Sequence, residues 1–114
     1  MKKWRLWTPS GDIMRVRWLR AAMRNLDAIV AYVAQDDPDA ALKLYACIRE
    51  RVAALADKPN MGKPGRVFGT RELVIKKYRY IVPYRVQENE VQILRVFHTS
   101  RRLPVNWQAP DGAS

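Results

Sequence analysis

The sequence predicts an α+β fold of order βααβββ, a two-helix antiparallel hairpin packed on a small, mostly antiparallel sheet. Three observations carry it. Apolar residues follow a helical period through the first half and switch to strand-like alternation near residue 70. The connection between the two helical segments, Asp36-Asp37-Pro38-Asp39, is short, which makes them antiparallel neighbours. Three alternating segments then follow in quick succession, as in a meander. Two helices and one small sheet must share a core, with the helices on one sheet face.

The elements follow in chain order. Residues 1–13 include the turn-like Thr8-Pro9-Ser10-Gly11-Asp12 and are set apart as an N-terminal extension, with Met14 a second candidate start. Met14-Arg15-Val16-Arg17-Trp18-Leu19 alternates apolar residues with arginines, the pattern of a half-buried strand. Leu26, Ile29, Val30 and Val33 then stand at i, i+3, i+4 and i+7, one stripe of a helix. In the next helix Asp37 is the N-cap, Pro38 suits N1, and Asp39 complements the dipole. Its buried stripe is read as Ala41, Tyr45, Ile48, Val52 and Leu55, with Cys47 a small residue beside the core.

Two prolines and two glycines between Asp57 and Arg66, with Gly69 following, predict a loop over 57–70 without regular structure. The meander strands are Arg71–Ile75, Tyr80–Val86 and Val91–His98, the last two joined by the polar turn Gln87-Glu88-Asn89-Glu90. Pro83 removes a ladder donor and implies an edge or a bulge. Thr99–Pro104 is read as one short helical turn. Residues 14–107 form the domain and 108–114 a disordered tail.

A chain of 114 residues is one domain, able to bury roughly two thirds of the surface its unfolded form exposes. With 48% hydrophobic residues and four tryptophans, it is not a disordered chain. No apolar run reaches the ~20 residues of a membrane span, and the N-terminus lacks the apolar segment of a signal peptide. One cysteine and one histidine exclude an internal disulfide and a Cys/His zinc cage. A cytoplasmic chain with no membrane contact, cofactor or metal is expected.

Charge is unevenly distributed. The net +10 divides into +3 for residues 1–57, +8 for 58–102 and −1 for 103–114. The basic half is mostly arginine and points to a polyanion or an acidic protein partner. Candidate contacts are Arg66, Lys76, Lys77, Arg101, Arg102 and Trp107.

Motifs for nucleotide binding, serine hydrolysis and zinc proteolysis are absent. Glu72 is the only acidic residue between Asp57 and Glu88, which leaves little for a paired-carboxylate mechanism. What remains is an arginine set around one histidine: Arg71, Arg79, His98 and Arg101. Antiparallel pairing would bring His98 and Arg101 near Arg79. Such a group binds phosphate bidentately and stabilises a pentacovalent phosphate, with His98 moving a proton. The plainer reading is a strand-end histidine bonded to backbone, with solvated arginines guarding the sheet edges. Tyr78, Tyr80, Tyr84 and Phe97 interleave with cations, as in RNA-binding surfaces, yet most belong to the core.

Four ordered stretches resemble the RelE/ParE superfamily of bacterial type II toxin–antitoxin toxins: Asp36–Ala41 between the helices, Pro64–Val74 entering the sheet, Tyr80–Val86, and Ile93–Pro104. The resemblance spans residues 14–104 and implies the same fold, together with a growth-inhibiting toxin neutralised by a cognate acidic antitoxin. RelE-like members cut mRNA on the ribosome, using cations on the sheet and an aromatic residue or histidine near the C-terminus. ParE-like members poison DNA gyrase and lack that set. Here the places of the paired lysines on the first meander strand are taken by Glu72 and Val74, and that of the second-strand arginine by Ile81. Arg101 matches the arginine after the last strand. Trp107 stands where a catalytic tyrosine would be, and indole is not a proton donor of that kind. The resemblance therefore implies ParE-like gyrase inhibition first. Ribosome-dependent mRNA cleavage through Arg71, Arg79, His98 and Arg101 is the alternative. A plain nucleic-acid-binding module comes third, since no recognition helix or RNA-binding signature is present.

Overall fold

A computed structural model of the chain describes residues 14–99. Strand β1 (Arg15–Trp18) leads into helices α1 (Arg20–Asp36) and α2 (Pro38–Ala53), and a 3₁₀ turn over Ala54–Ala56 closes α2. Strands β2 (Lys63–Pro64), β3 (Arg71–Ile75), β4 (Tyr80–Gln87), β5 (Glu90–Ile93) and β6 (Phe97–His98) follow. The sheet runs β1-β5-β4-β3-β2, and β6 also pairs with β4. Every pairing is antiparallel except β1 with β5, the pair separated by the helices. The expected α+β layer order is therefore present, with six strands among the described residues.

The hairpin turns as its residues require. Asp37 ends α1 in extended backbone and begins α2, its Oδ1 accepting from the Ala40 N–H at 3.1 Å, with Pro38 at the first helical position. The buried stripe of α2 is Ala41, Leu44, Ile48 and Val52, continued by Leu55. Tyr45 is not part of it. Leu44 lies three residues after Ala41 and four before Ile48. Tyr45 is turned about 100° further round the helix, and its ring lies 5.7 Å from the Arg49 guanidinium carbon, which also covers Trp18 at 5.4 Å.

The core lies between the hairpin and one sheet face. Leu26 of α1 and Ile48 and Val52 of α2 meet Leu73, Ile75, Val82, Tyr84, Val91 and Ile93, with Val16 partly buried against them. These strand residues alternate along their strands, so the opposite sheet face carries the intervening side chains.

Three local features depart from the sequence reading. Lys63–Pro64 inside the expected loop pair with Glu72 and Arg71. Proline is tolerated there because β2 is the sheet edge and needs no outward donor. The strand expected over Val91–His98 is split into β5 and β6. Both lie along the same side of β4, where Leu94 N–H donates to the Pro83 carbonyl at 2.9 Å. Pro83 has no N–H to return, so the ladder breaks opposite it, and Val96 N–H turns to Asn25 Oδ1 of α1 at 3.0 Å. The implied irregularity at Pro83 is thus a break in a central pairing, not an edge. The turn between β4 and β5 matches its expectation: Glu88 and Asn89 both have positive φ, 55° and 60°, the conformation of a tight two-residue hairpin. The extension over 1–13, the short turn after Thr99 and the tail over 108–114 lie outside the described residues.

Candidate functional site

The basic candidates fall into two groups at opposite ends of the sheet. The first is the turn from β3 to β4. Lys76, Lys77 and Arg79 are exposed there, and Arg79 holds φ at 63° to close it. Its N–H donates to the Lys76 carbonyl at 3.2 Å, and its own carbonyl accepts from Thr99 N–H at 2.7 Å. His98, on β6, pairs with Tyr80. The two rings meet edge to face, 4.8 Å apart at 87°. His98 and Arg79 are therefore neighbours, as antiparallel pairing predicted. Lys77 Nζ lies 5.4 Å from the Tyr78 ring centroid.

Arg71 belongs to the other end. It pairs with Tyr84, four positions along β4 from the residue opposite His98. At strand rise that is about 13 Å. Its Nη1 donates to the Gly62 carbonyl at 2.6 Å. Gly62 N–H in turn donates to the Tyr84 hydroxyl at 2.9 Å, and that hydroxyl donates to the Pro59 carbonyl at 2.7 Å. Burial pushes the Tyr84 phenol above its usual range, against the opposing pull of the Gly62 N–H and Arg71. Only glycine fits at 62: an added Cβ would lie 2.7 Å from the Tyr84 ring. Arg71 thus clamps the chain entering β2. Arg66 binds Glu72, its backbone N–H and its Nε each 3.0 Å from Glu72 Oε2. Lys63, Pro64, Gly65, Arg66 and Glu72 line an open cleft here.

Between these ends lies the sheet face away from the helices. Glu72 and Val74 of β3 stand opposite Pro83 and Ile81 of β4. Glu72 is 3% exposed and Ile81 7%. The positions that the resemblance would give to cations in a RelE-like nuclease hold a carboxylate paired with Arg66 and two apolar side chains. Further along, a polar chain crosses three strands. Arg85 Nε donates to Gln92 Oε1 at 2.8 Å, Gln92 Nε2 donates to Glu90 Oε2 at 2.8 Å, and Arg17 Nη1 reaches that same oxygen at 3.1 Å. The Gln92 amide and then Arg17 hold the Glu90 carboxyl below its ordinary range, against the opposing effect of burial. This chain was missed in the sequence. Its one signal is the alternation of Glu90 and Gln92 with the core residues Val91 and Ile93.

Among the described residues no group of three His, Cys, Asp or Glu side chains could hold a metal ion. No helix among them is long and apolar enough to cross a membrane. Arg101, Arg102 and Trp107 lie outside the described residues.

The comparisons with known proteins agree with this geometry. Residues 16–103 match the family model described as ParE toxin of type II toxin-antitoxin system, parDE. Y4kP of Sinorhizobium fredii, named as a toxin, is 48% identical over 79% of this chain and 93% of its own length. Toxin RelE2 of Caulobacter vibrioides is 31% identical over 76% and 97%. Among solved structures, the chromosomal ParDE toxin–antitoxin system of P. aeruginosa aligns with a TM-score of 0.71 at 33% identity, covering 76% of this chain and 97% of that one. The RelBE2 toxin–antitoxin complex of Mycobacterium tuberculosis aligns with a TM-score of 0.56 at 27% identity, covering 75% and 98%. The two-helix hairpin, the sheet it covers and a family match running through nearly all of both place this chain in the ParE toxin family of type II toxin–antitoxin systems.

Proposed function

We propose that this toxin inhibits DNA gyrase through protein contacts and is held inactive by a cognate acidic antitoxin. The observation that carries the gyrase reading is the outer face of β3 and β4. Ribonuclease chemistry on that face needs cations aimed at a phosphate. Glu72, Val74 and Ile81 supply none, Arg66 is paired with Glu72, and Arg85 of the same face donates to Gln92. The offset of Arg71 from His98, about 13 Å along β4, supports the same reading. An antitoxin partner is supported by the solved relatives, both toxin–antitoxin systems. The +8 balance of residues 58–102 makes an acidic partner complementary.

The alternative is mRNA cleavage on the ribosome. Two observations favour it: the likeness to Toxin RelE2, and the adjacency of His98 and Arg79. One substitution separates the readings. Loss of a proton-transfer group costs about 10²–10⁴ in rate, so a nuclease with His98→Ala would lose its toxicity while keeping its antitoxin. Under gyrase inhibition His98→Ala remains toxic, and charge reversal at Arg101 and Arg102 weakens target binding instead. Mapping transcript ends after induction gives the independent check. Cuts at codons of translated messages, without gyrase-linked DNA breaks, would promote the nuclease.

A further inference from the structure

The segment from β2 to β3 presents one aromatic side chain entirely to solvent, on a backbone that is held from within. Phe68 is fully exposed. A lone exposed apolar residue is ordinary on a folded surface; the bracing of this one is not. Gly65 N–H donates to the Thr70 carbonyl at 2.8 Å, and Thr70 N–H returns to the Val67 carbonyl at 3.1 Å. Thr70 Oγ1 donates to that same carbonyl at 2.6 Å. Arg66 fixes the start of the loop on the buried Glu72 through both its backbone N–H and its guanidinium. Gly65 leaves no room for a side chain, since a Cβ would lie 2.3 Å from Thr70 Oγ1. Gly69 turns at φ 83°, a conformation glycine adopts freely. Val67 points inward and packs against the buried Leu19–Leu94 cluster. Its neighbour Phe68 is thereby thrust outward.

The surroundings are positive. Residues 58–71 hold Lys58, Lys63, Arg66 and Arg71 and no acidic residue. Glu72 takes up Arg66, whereas Arg71 donates only to carbonyls in its described bonds and Lys63 stands exposed over the cleft beside the loop.

We propose that this loop is a preformed docking knob: Phe68 enters an apolar pocket on the toxin's protein target, and carboxylates around that pocket meet Lys63. The proposal rests on the reading that the toxin acts by protein contact. A rigid aromatic projection loses little conformational freedom on binding and is the usual form of an interface anchor. Surrounding cations speed encounter with an acidic rim. Stacking on RNA fits less well, because no second aromatic stands beside Phe68 in the loop to continue a platform of bases.

The full chain, freed from its antitoxin complex, is the material for the test, and purified DNA gyrase is the probe. Phe68→Ala is expected to weaken gyrase binding about tenfold or more, with melting temperature and antitoxin affinity unchanged. Phe68→Trp is expected to recover most of the binding. Lys63→Glu, at a second exposed position, is expected to slow association. Wild-type gyrase affinity in Phe68→Ala overturns the knob and leaves the gyrase reading standing. Loss of antitoxin affinity instead also overturns it, by making the antitoxin the occupant, and so does a selective loss of RNA cleavage. If the wild-type chain fails to bind gyrase, the gyrase reading fails by itself, and growth arrest then judges the knob. Full toxicity in Phe68→Ala overturns it. Lost toxicity with the antitoxin still bound, and with no RNA cleavage by the wild-type chain, supports it as a protein-contact residue.

Discussion

Replacing Tyr84 with Phe removes a hydroxyl that donates to Pro59 and accepts from Gly62. The ring stays in place, but the buried Gly62 N–H is left without that acceptor. Such a loss costs about 1–3 kcal/mol, to be read from urea unfolding at neutral pH. The alkaline limb should also change. A phenol whose pKa is raised on folding contributes stability below its ordinary value of 10.0 and loses it as pH rises through the folded value. Tyr84→Phe should therefore flatten the stability profile above pH 10. Glu90 behaves in the opposite sense. Its carboxyl is held low by Gln92 and Arg17, so its contribution is present above the ordinary value of 4.5 and is lost as pH falls through the lowered value. Glu90→Gln should reduce acid-induced destabilisation in a pH series of melting curves. An unchanged acid limb would count against the Gln92–Glu90–Arg17 contact. Neither partnership was legible in the sequence. Tyr84 reads as core from alternation alone, but its bonds reach a loop more than twenty residues away. Glu90 was read as part of the turn and Gln92 as a strand position, because alternation identifies a face without saying what that face bonds to.

At the scale of elements, the sequence was most informative where one residue type has one physical use. Asp37 and Pro38 fixed the start of α2, and Glu88 and Asn89 marked the β4–β5 turn. Pro83 foretold an irregularity, but its location on a central strand depended on which way its carbonyl faced. Two-residue β2 was invisible, since Lys63–Pro64 has no periodicity to detect. The stripe of α2 was read through Tyr45 and runs through Leu44, because both adjoin the same apolar row and an amphipathic ring suits either site. Stability measurements can check the arrangement found here. Leu44→Ala, at a site 3% exposed, should cost about 2–5 kcal/mol as a core truncation. Tyr45→Ala, at 37% exposure, should cost less than about 1 kcal/mol. Equal costs would contradict the described orientation of α2.

On the scale of the whole molecule, the helix hairpin occupies one sheet face, and the braced loop and its cations cluster at the edge formed by β2. Among the described residues the basic candidates form two groups, one at the β3–β4 turn and one at the β2 edge. The fold class was legible because the period of apolar residues sets layer order. The candidate site was only partly legible. Strand pairing brought His98 to Arg79, yet register sent Arg71 to the far end and the loop paired Arg66 with Glu72. Among the described residues, Arg66, Arg71, Arg79 and His98 do not converge on one place. The direct measurement is DNA supercoiling by purified gyrase titrated with the full toxin chain. Loss of supercoiling at toxin levels comparable to gyrase, reversed by the antitoxin, is the expected result. Undiminished supercoiling by toxin that still arrests growth would contradict the gyrase reading.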